Sequence, residues 1–233
     1  MVCAVDPERL RDHPSPGSRA SMHIVAGIFL LLLSAPLAHA DALKDALHRL
    51  QERYDTTKTM TADFQQSVAS KTLSGTLESK GTVSFEKPNR MRWDYFPPDT
   101  QQIIGDGETL WIYQPDDKQV IKAPIDKAFQ ARTPVNFLGG LGHLDQDFNA
   151  TLERDEPEQW VLRLVPKQDK GIGILNLSVR KSDASIAEAR IEDPLGTVTR
   201  LKLSGEKRNV VLAGDLFTFT PPAGVDVVKP PTY

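Results

Sequence analysis

The feature that most constrains this chain is a change of hydrophobic period near Tyr54. Before it, Leu43, Ala46, Leu47, Leu50 and Tyr54 fall at helical spacing on one stripe. That spacing predicts an amphipathic helix over Asp41–Tyr54, with Asp41 able to cap its N-terminus. Beyond it the period drops to two. Val83 and Phe85 alternate with Thr82 and Ser84, and Met91, Trp93 and Tyr95 alternate with Arg90, Arg92 and Asp94. Further strand-like runs are Gln101–Gly105, Thr109–Tyr113, Gln119–Ala123, Trp160–Val165, Leu175–Arg180, Ser185–Glu192, Thr197–Leu203 and Leu216–Thr220. Turn residues punctuate them, as at Lys87-Pro88-Asn89, Pro97-Pro98-Asp99 and Asp193-Pro194-Leu195-Gly196. Asp106-Gly107 is a two-residue hairpin signal. Many short strands at this spacing, with no βαβ alternation, predict a mainly β domain whose antiparallel sheet curls or closes.

Two segments stand outside the strand pattern. Pro124–His143 carries Ala128, Phe129, Val135, Phe137, Leu138 and Leu141, with Thr133-Pro134 as a helix-start signal and Gly139–Gly142 as an exit. It reads as one or two short apolar helices covering an open end of the sheet. The other segment is Met22–Ala40. Its apolar run from Ile24 to Ala35 is too short to span a bilayer, and it ends in Ala38-His39-Ala40. This is the pattern of a secretory signal peptide cut after Ala40. The expected division is therefore 1–40, an N-terminal extension and signal peptide, and 41–233, a single domain delivered across the membrane. Met1 and Met22 both remain possible start residues.

The chemistry-bearing residues are sparse. The single cysteine, Cys3, lies in the segment expected to be removed, which leaves no disulfide framework, no cysteine zinc cluster and no lipid-attachment point at Asp41. The formal charge of −3 argues against a nucleic-acid partner. Arg90 and Arg92 beside Trp93 lie on the opposite strand face from it and read as a solvated surface. No nucleophile elbow, phosphate loop or His-Glu-x-x-His helix occurs. His48 reads as solvated, and Asp106, Glu108, Asp116 and Asp117 sit in turns where carboxylates stay hydrated. No enzyme activity, cofactor or metal is expected.

What remains distinctive is Gly81-Thr-Val-Ser-Phe-Glu-Lys-Pro-Asn-Arg-Met-Arg-Trp-Asp-Tyr95, then Asp106-Gly-Glu-Thr-Leu-Trp-Ile-Tyr113, and finally Phe217-Thr-Phe-Thr-Pro-Pro-Ala-Gly-Val-Asp-Val227. Over roughly Leu43–Val227 the sequence resembles the LolA family of periplasmic lipoprotein carriers. The resemblance implies an unclosed antiparallel β-barrel covered by a lid of short helices. It also implies a hydrophobic cavity for the acyl chains of lipoproteins, and periplasmic localisation. Implied partners are an inner-membrane ABC transporter of the LolCDE type and an outer-membrane receptor of the LolB type, with the carrier acting as a monomer.

Alternating strands can build a concave apolar surface for such cargo, and the residues that would line it are Phe64, Val83, Phe85, Met91, Trp93 and Tyr95. Val135, Phe137, Leu138 and Leu141 would line it from the lid. The same residues would serve equally as the static core of any curved sheet under helices; the resemblance tips the reading towards the cavity. By the same resemblance, Met91 stands where better-studied members carry a Phe that helps set cargo release. Lys87 stands where they carry an Arg linked to lid closure and to the transporter, which makes it the candidate partner or latch residue. Lysine keeps the charge and loses the planar fork. The competing reading is a lipid-sensing regulatory module of the RseB type on the same scaffold. Such proteins carry a second C-terminal domain, whereas this sequence closes soon after its Phe-Thr-Pro-Pro motif.

Overall fold

The computed structural model describes residues 35–70, 75–125, 143–168 and 173–230. Helix α1, Ala35–Thr56, is followed by β1 (Thr59–Ala69), β2 (Thr76–Glu86), β3 (Arg90–Tyr95), β4 (Gln101–Asp106), β5 (Thr109–Gln114) and β6 (Gln119–Pro124). A one-turn helix, α2 (Leu144–Asp147), leads into β7 (Phe148–Asp155), β8 (Gln159–Pro166), β9 (Ile174–Arg180), β10 (Ile186–Glu192), β11 (Val198–Arg208) and β12 (Asp226–Val228). All twelve strands form one sheet in the order β12-β6-β5-β4-β3-β2-β1-β11-β10-β9-β8-β7. Its pairs are antiparallel except β12 with β6, which is parallel. The end strands β7 and β12 do not pair with each other, so the sheet is unclosed, as expected.

Alternation delivers the interior. One row runs across the sheet through Met60, Phe85, Met91, Gly105, Leu110 and Ala123, each paired with the next. The next row runs through Ala62, Val83, Trp93, Ile103, Ile112 and Ile121. Apart from Gly105 and Ile121, these rows join Phe64, Leu201 and Leu203 in one apolar cluster. A second cluster forms where Ala46 and Leu50 of α1 pack on Trp160, Leu162, Leu164, Leu175, Leu177 and Val179 of β8 and β9. The helical stripe therefore covers the β7–β10 half of the sheet.

Several expectations are corrected. The helix begins at Ala35, so Asp41 lies within it and is not its cap. Leu216–Thr220 is not a strand but part of an irregular strap across the outer face. Its alternation is real, yet its partners are side chains. Phe217 is 3% exposed, Arg92 Nη1 donates to the Leu216 carbonyl at 3.1 Å, and the Phe219 ring lies 5.7 Å from Trp111 and 5.6 Å from Tyr113. The Arg92 face is accordingly half-buried rather than solvated, and Arg92 also pairs with Asp94 at 2.7 Å. Asp106 is likewise more than a hydrated turn residue. Burial pushes its carboxyl up, but the Thr109 amide (2.7 Å), the Trp111 indole (3.0 Å) and the Glu108 amide (2.9 Å) donate to it and hold it below the usual range. Strands β1, β7 and β12 are present in addition to the expected runs. The helical segment expected within Pro124–His143 lies outside the described residues but for its ends.

Phe64 packs over Gly81 because only a bare backbone fits beneath its ring. A Cβ at Gly81 would lie 2.0 Å from the Asp94 carbonyl oxygen and 2.8 Å from two carbons of the Phe64 ring. Neither backbone nor packed ring can give that much. Gly81→Ala is expected to cost about 3 kcal/mol or more, at or beyond the upper end of ordinary overpacking. A denaturant midpoint within error of the parent protein would contradict this packing.

Candidate functional site

The two apolar clusters meet at a seam beneath the last turns of α1. A cavity of about 80 Å³ lies there, floored by Leu50 and Ile186 from one cluster and by Phe85, Met91 and Leu203 from the other, with Met60 beside them. Its rim is charged: Arg53, Lys58, Glu86, Lys87, Arg90 and Glu206 surround the apolar floor. Pockets that enclose small organic ligands commonly measure about 300–1,000 Å³. The seam as it stands is therefore too small for an acyl chain.

Of the residues singled out from the sequence, Phe85, Met91 and Lys87 line this cavity. Phe64, Val83 and Trp93 do not; they are buried in the adjacent cluster, and Tyr95 is partly buried against it. Their rings form a tight group. Phe64 lies 4.9 Å from both Trp93 and Tyr95, edge-on, while Phe85 meets Trp93 at 6.1 Å. The Tyr95 hydroxyl donates to Gln66 Oε1 at 3.0 Å, and burial pushes its phenol up to about 12. Trp93 is 0% exposed, and its indole N–H finds no acceptor among the described residues. Val135, Phe137, Leu138 and Leu141 lie outside the described residues.

Lys87 sits in the turn between β2 and β3. Its Nζ lies 3.6 Å from the centre of the Tyr54 ring and donates to the Tyr54 carbonyl at 2.5 Å. That contact ties the C-terminal end of α1, where carbonyls lack helical partners and a cation is favourable, to the opposite half of the sheet. Burial lowers the ammonium's pKa against the pull of Asp55.

Leu50, Met60, Ile186 and Leu203 were not anticipated as lining residues, although Leu50 was on the helical stripe. For Met60 the available signal was the alternation Met60, Ala62, Phe64 along β1.

An unclosed antiparallel sheet whose recognisable site is an apolar interior, divided by a seam under one helix, defines a β half-barrel built to enclose apolar groups. Comparison with known proteins gives the family. The model of the outer membrane lipoprotein carrier protein LolA matches residues 55–220. An outer-membrane lipoprotein carrier protein from Nitrosomonas europaea is 30% identical over 203 residues, covering 87% of this chain and 98% of that one. One from Methylibium petroleiphilum is 36% identical over 199 residues, covering 85% and 94%. The chain belongs to the LolA family. A crystal structure of an uncharacterized conserved protein from Thermus thermophilus shares the fold, with a TM-score of 0.51 at 17% identity over 81% of this chain and 99% of that one.

Trp93 separates packing from lining. Trp93→Ala is expected to cost about 3–5 kcal/mol, as for other large buried aromatics. Trp93→Phe keeps most of the ring and removes the unpaired donor, and should cost under about 1.5 kcal/mol. Equal losses in the two variants by urea denaturation would contradict this placement.

Proposed function

We propose that this protein carries acylated lipoproteins through the periplasm by taking their acyl chains between its two apolar clusters. The observation that carries the reading is the seam cavity, apolar in its floor, charged at its rim and about 80 Å³ in volume. Its relatives' name, outer-membrane lipoprotein carrier protein, supplies the cargo class. Burying hydrocarbon returns about 0.8 kcal/mol per methylene, so a chain of about sixteen carbons would gain roughly 12 kcal/mol gross. A preformed slot would hold several such chains almost irreversibly. A seam that must first open subtracts the opening free energy from net affinity, leaving the cargo transferable. No covalent step is involved.

In this reading a LolCDE-type transporter loads the carrier at the inner membrane and a LolB-type receptor accepts the cargo at the outer membrane. The protein acts as a monomer. Phe85 and Met91 meet the chains at the seam, while Phe64, Val83, Trp93 and Tyr95 wall the space that opens beyond it. The segment bearing Val135, Phe137, Leu138 and Leu141 covers that space, and Lys87 is the latch on α1. Residues 1–40 serve export and are removed.

Tagged protein purified from the periplasm should bring with it several proteins whose N-terminal cysteines are acylated, identified by mass spectrometry. Recovery of their unacylated forms in equal amount would contradict recognition through the lipid. N-terminal sequencing of the exported protein should begin at Asp41; a start before Ile24 would refute removal of the leader. Lys87→Met should speed release of a bound triacylated peptide several-fold, because the latch to the Tyr54 carbonyl is lost. An unchanged release rate would remove Lys87 from that role.

A further inference from the structure

The last turn of α1 is held very differently on its two sides. Towards β9–β11, Arg53 Nη2 donates to Glu206 Oε1 at 2.5 Å, and both side chains are only 12% exposed. Arg53 Nη1 donates to the Asp183 carbonyl at 2.8 Å and lies 3.2 Å from the Asp183 carboxylate, in the turn before β10. Asp183 is a firm anion there. Burial pushes its carboxyl up, but hydrogen bonds from Ser185 and the charge of Arg53 bring it below the usual range. One turn earlier, Arg49 donates to the Lys181 carbonyl at 2.5 Å while its guanidinium lies 5.1 Å from the Trp160 ring centre. The helix end is then stitched to the end of β11. Arg208 donates to Thr57 Oγ1 at 3.2 Å, and Asn209 donates to the Thr56 carbonyl at 3.1 Å.

Towards β2 and β3, Lys87 reaches the helix end through the Tyr54 ring and carbonyl. The apolar face of α1 packs on the β7–β10 half as well, through Ala46 and Leu50. A half-buried ion pair adds little net stability because both ions lose water. What it adds is geometry: a guanidinium forked between two acceptors admits few alternative positions. A single lysine on a flexible stem is a weaker constraint.

We propose that Arg53 is a positioning residue that keeps α1 on the β9–β11 side, so that the seam opens along the Lys87 edge and the β2–β3 side moves away from the helix. This rests on the carrier reading above for the identity of what enters, and on the polar ties alone for the direction of opening. Arg53 stands at the rim of the cavity, and its part in this scheme is to hold the helix. It decides which half of the molecule carries the helix.

The test uses covalent ties in a Cys3→Ser background, in which no other cysteine remains. A short, reducible thiol cross-linker joins Arg53→Cys to Glu206→Cys in one variant and Tyr54→Cys to Lys87→Cys in another. Arg49→Cys with Lys181→Cys gives a second link on the first side, should the buried pair be poorly tolerated. The readout is the rate at which a small apolar fluorescent dye enters the interior, which scales with the open population and does not depend on lipoprotein cargo. The expected result is dye entry within about twofold of the uncross-linked protein for the 53–206 and 49–181 links, and at least about tenfold slower for the 54–87 link. Reduction of the cross-linker should restore the rate. Slowing by the β9–β11 links, no slowing by the 54–87 link, or no dye entry into the uncross-linked protein would each overturn the proposal. Dye entry with the expected asymmetry but no binding of a triacylated peptide would refute the carrier reading and leave the direction of opening intact.

Discussion

The packing of one helical stripe on half of a sheet is the constraint from which the rest of the structure follows. Ala46 and Leu50 bury against β8 and β9, and α1 is too narrow to cover the other half as well. The apolar rows of β1–β6 consequently form a cluster of their own around Trp93 and Phe64. Two clusters side by side need a boundary, and the boundary holds the cavity. Within the second cluster Phe64 closes tightly over the bare backbone of Gly81 and against the Trp93 and Tyr95 rings.

This division suits reversible enclosure of hydrocarbon. Dispersion and hydrophobic burial are non-directional, so an acyl chain can replace side-chain contacts across the seam with chemically similar ones. Polar contacts are directional and set how the replacement proceeds. They concentrate at the end of α1, with a forked arginine on one side and a lysine on the other. In the carrier reading proposed above, the apolar interior would set how tightly cargo is held and the charged rim the path by which it enters.

Much of this was legible in the sequence, and the exceptions have physical reasons. Met91, Trp93 and Tyr95 alternate with charged residues, and the structure places them on the interior face as that alternation required. Alternation reports a face, however, and not what lies above it. It could not separate Met91, which meets the cavity, from Trp93, which is enclosed by rings. Strand β1 was hidden because its alternation of Met60, Ala62 and Phe64 is cut short by Gln66, which takes the next interior-face position and accepts from the Tyr95 hydroxyl. In β7, Phe148, Ala150 and Leu152 alternate inward, but the strand runs out into Glu153, Arg154 and Asp155, which read as a turn. Leu216–Thr220 failed in the opposite way, since alternating phenylalanines looked like a strand and serve as pegs on an outer face. Arg53 carries no sequence signal, because its partners Asp183 and Glu206 lie more than a hundred residues away.

The central claim is that acyl chains lie between the two clusters, beneath the sheet's interior face. The three tryptophans allow a direct measurement, because Trp93 is interior, Trp111 lies under the outer strap and Trp160 belongs to the helix-covered cluster. A triacylated peptide bearing a fluorescence-quenching nitroxide along one chain would be bound to variants that each retain a single tryptophan. The account predicts strong quenching of Trp93 and little of Trp111. Quenching of Trp111 alone, with the peptide demonstrably bound, would place the chains outside the sheet and contradict the account.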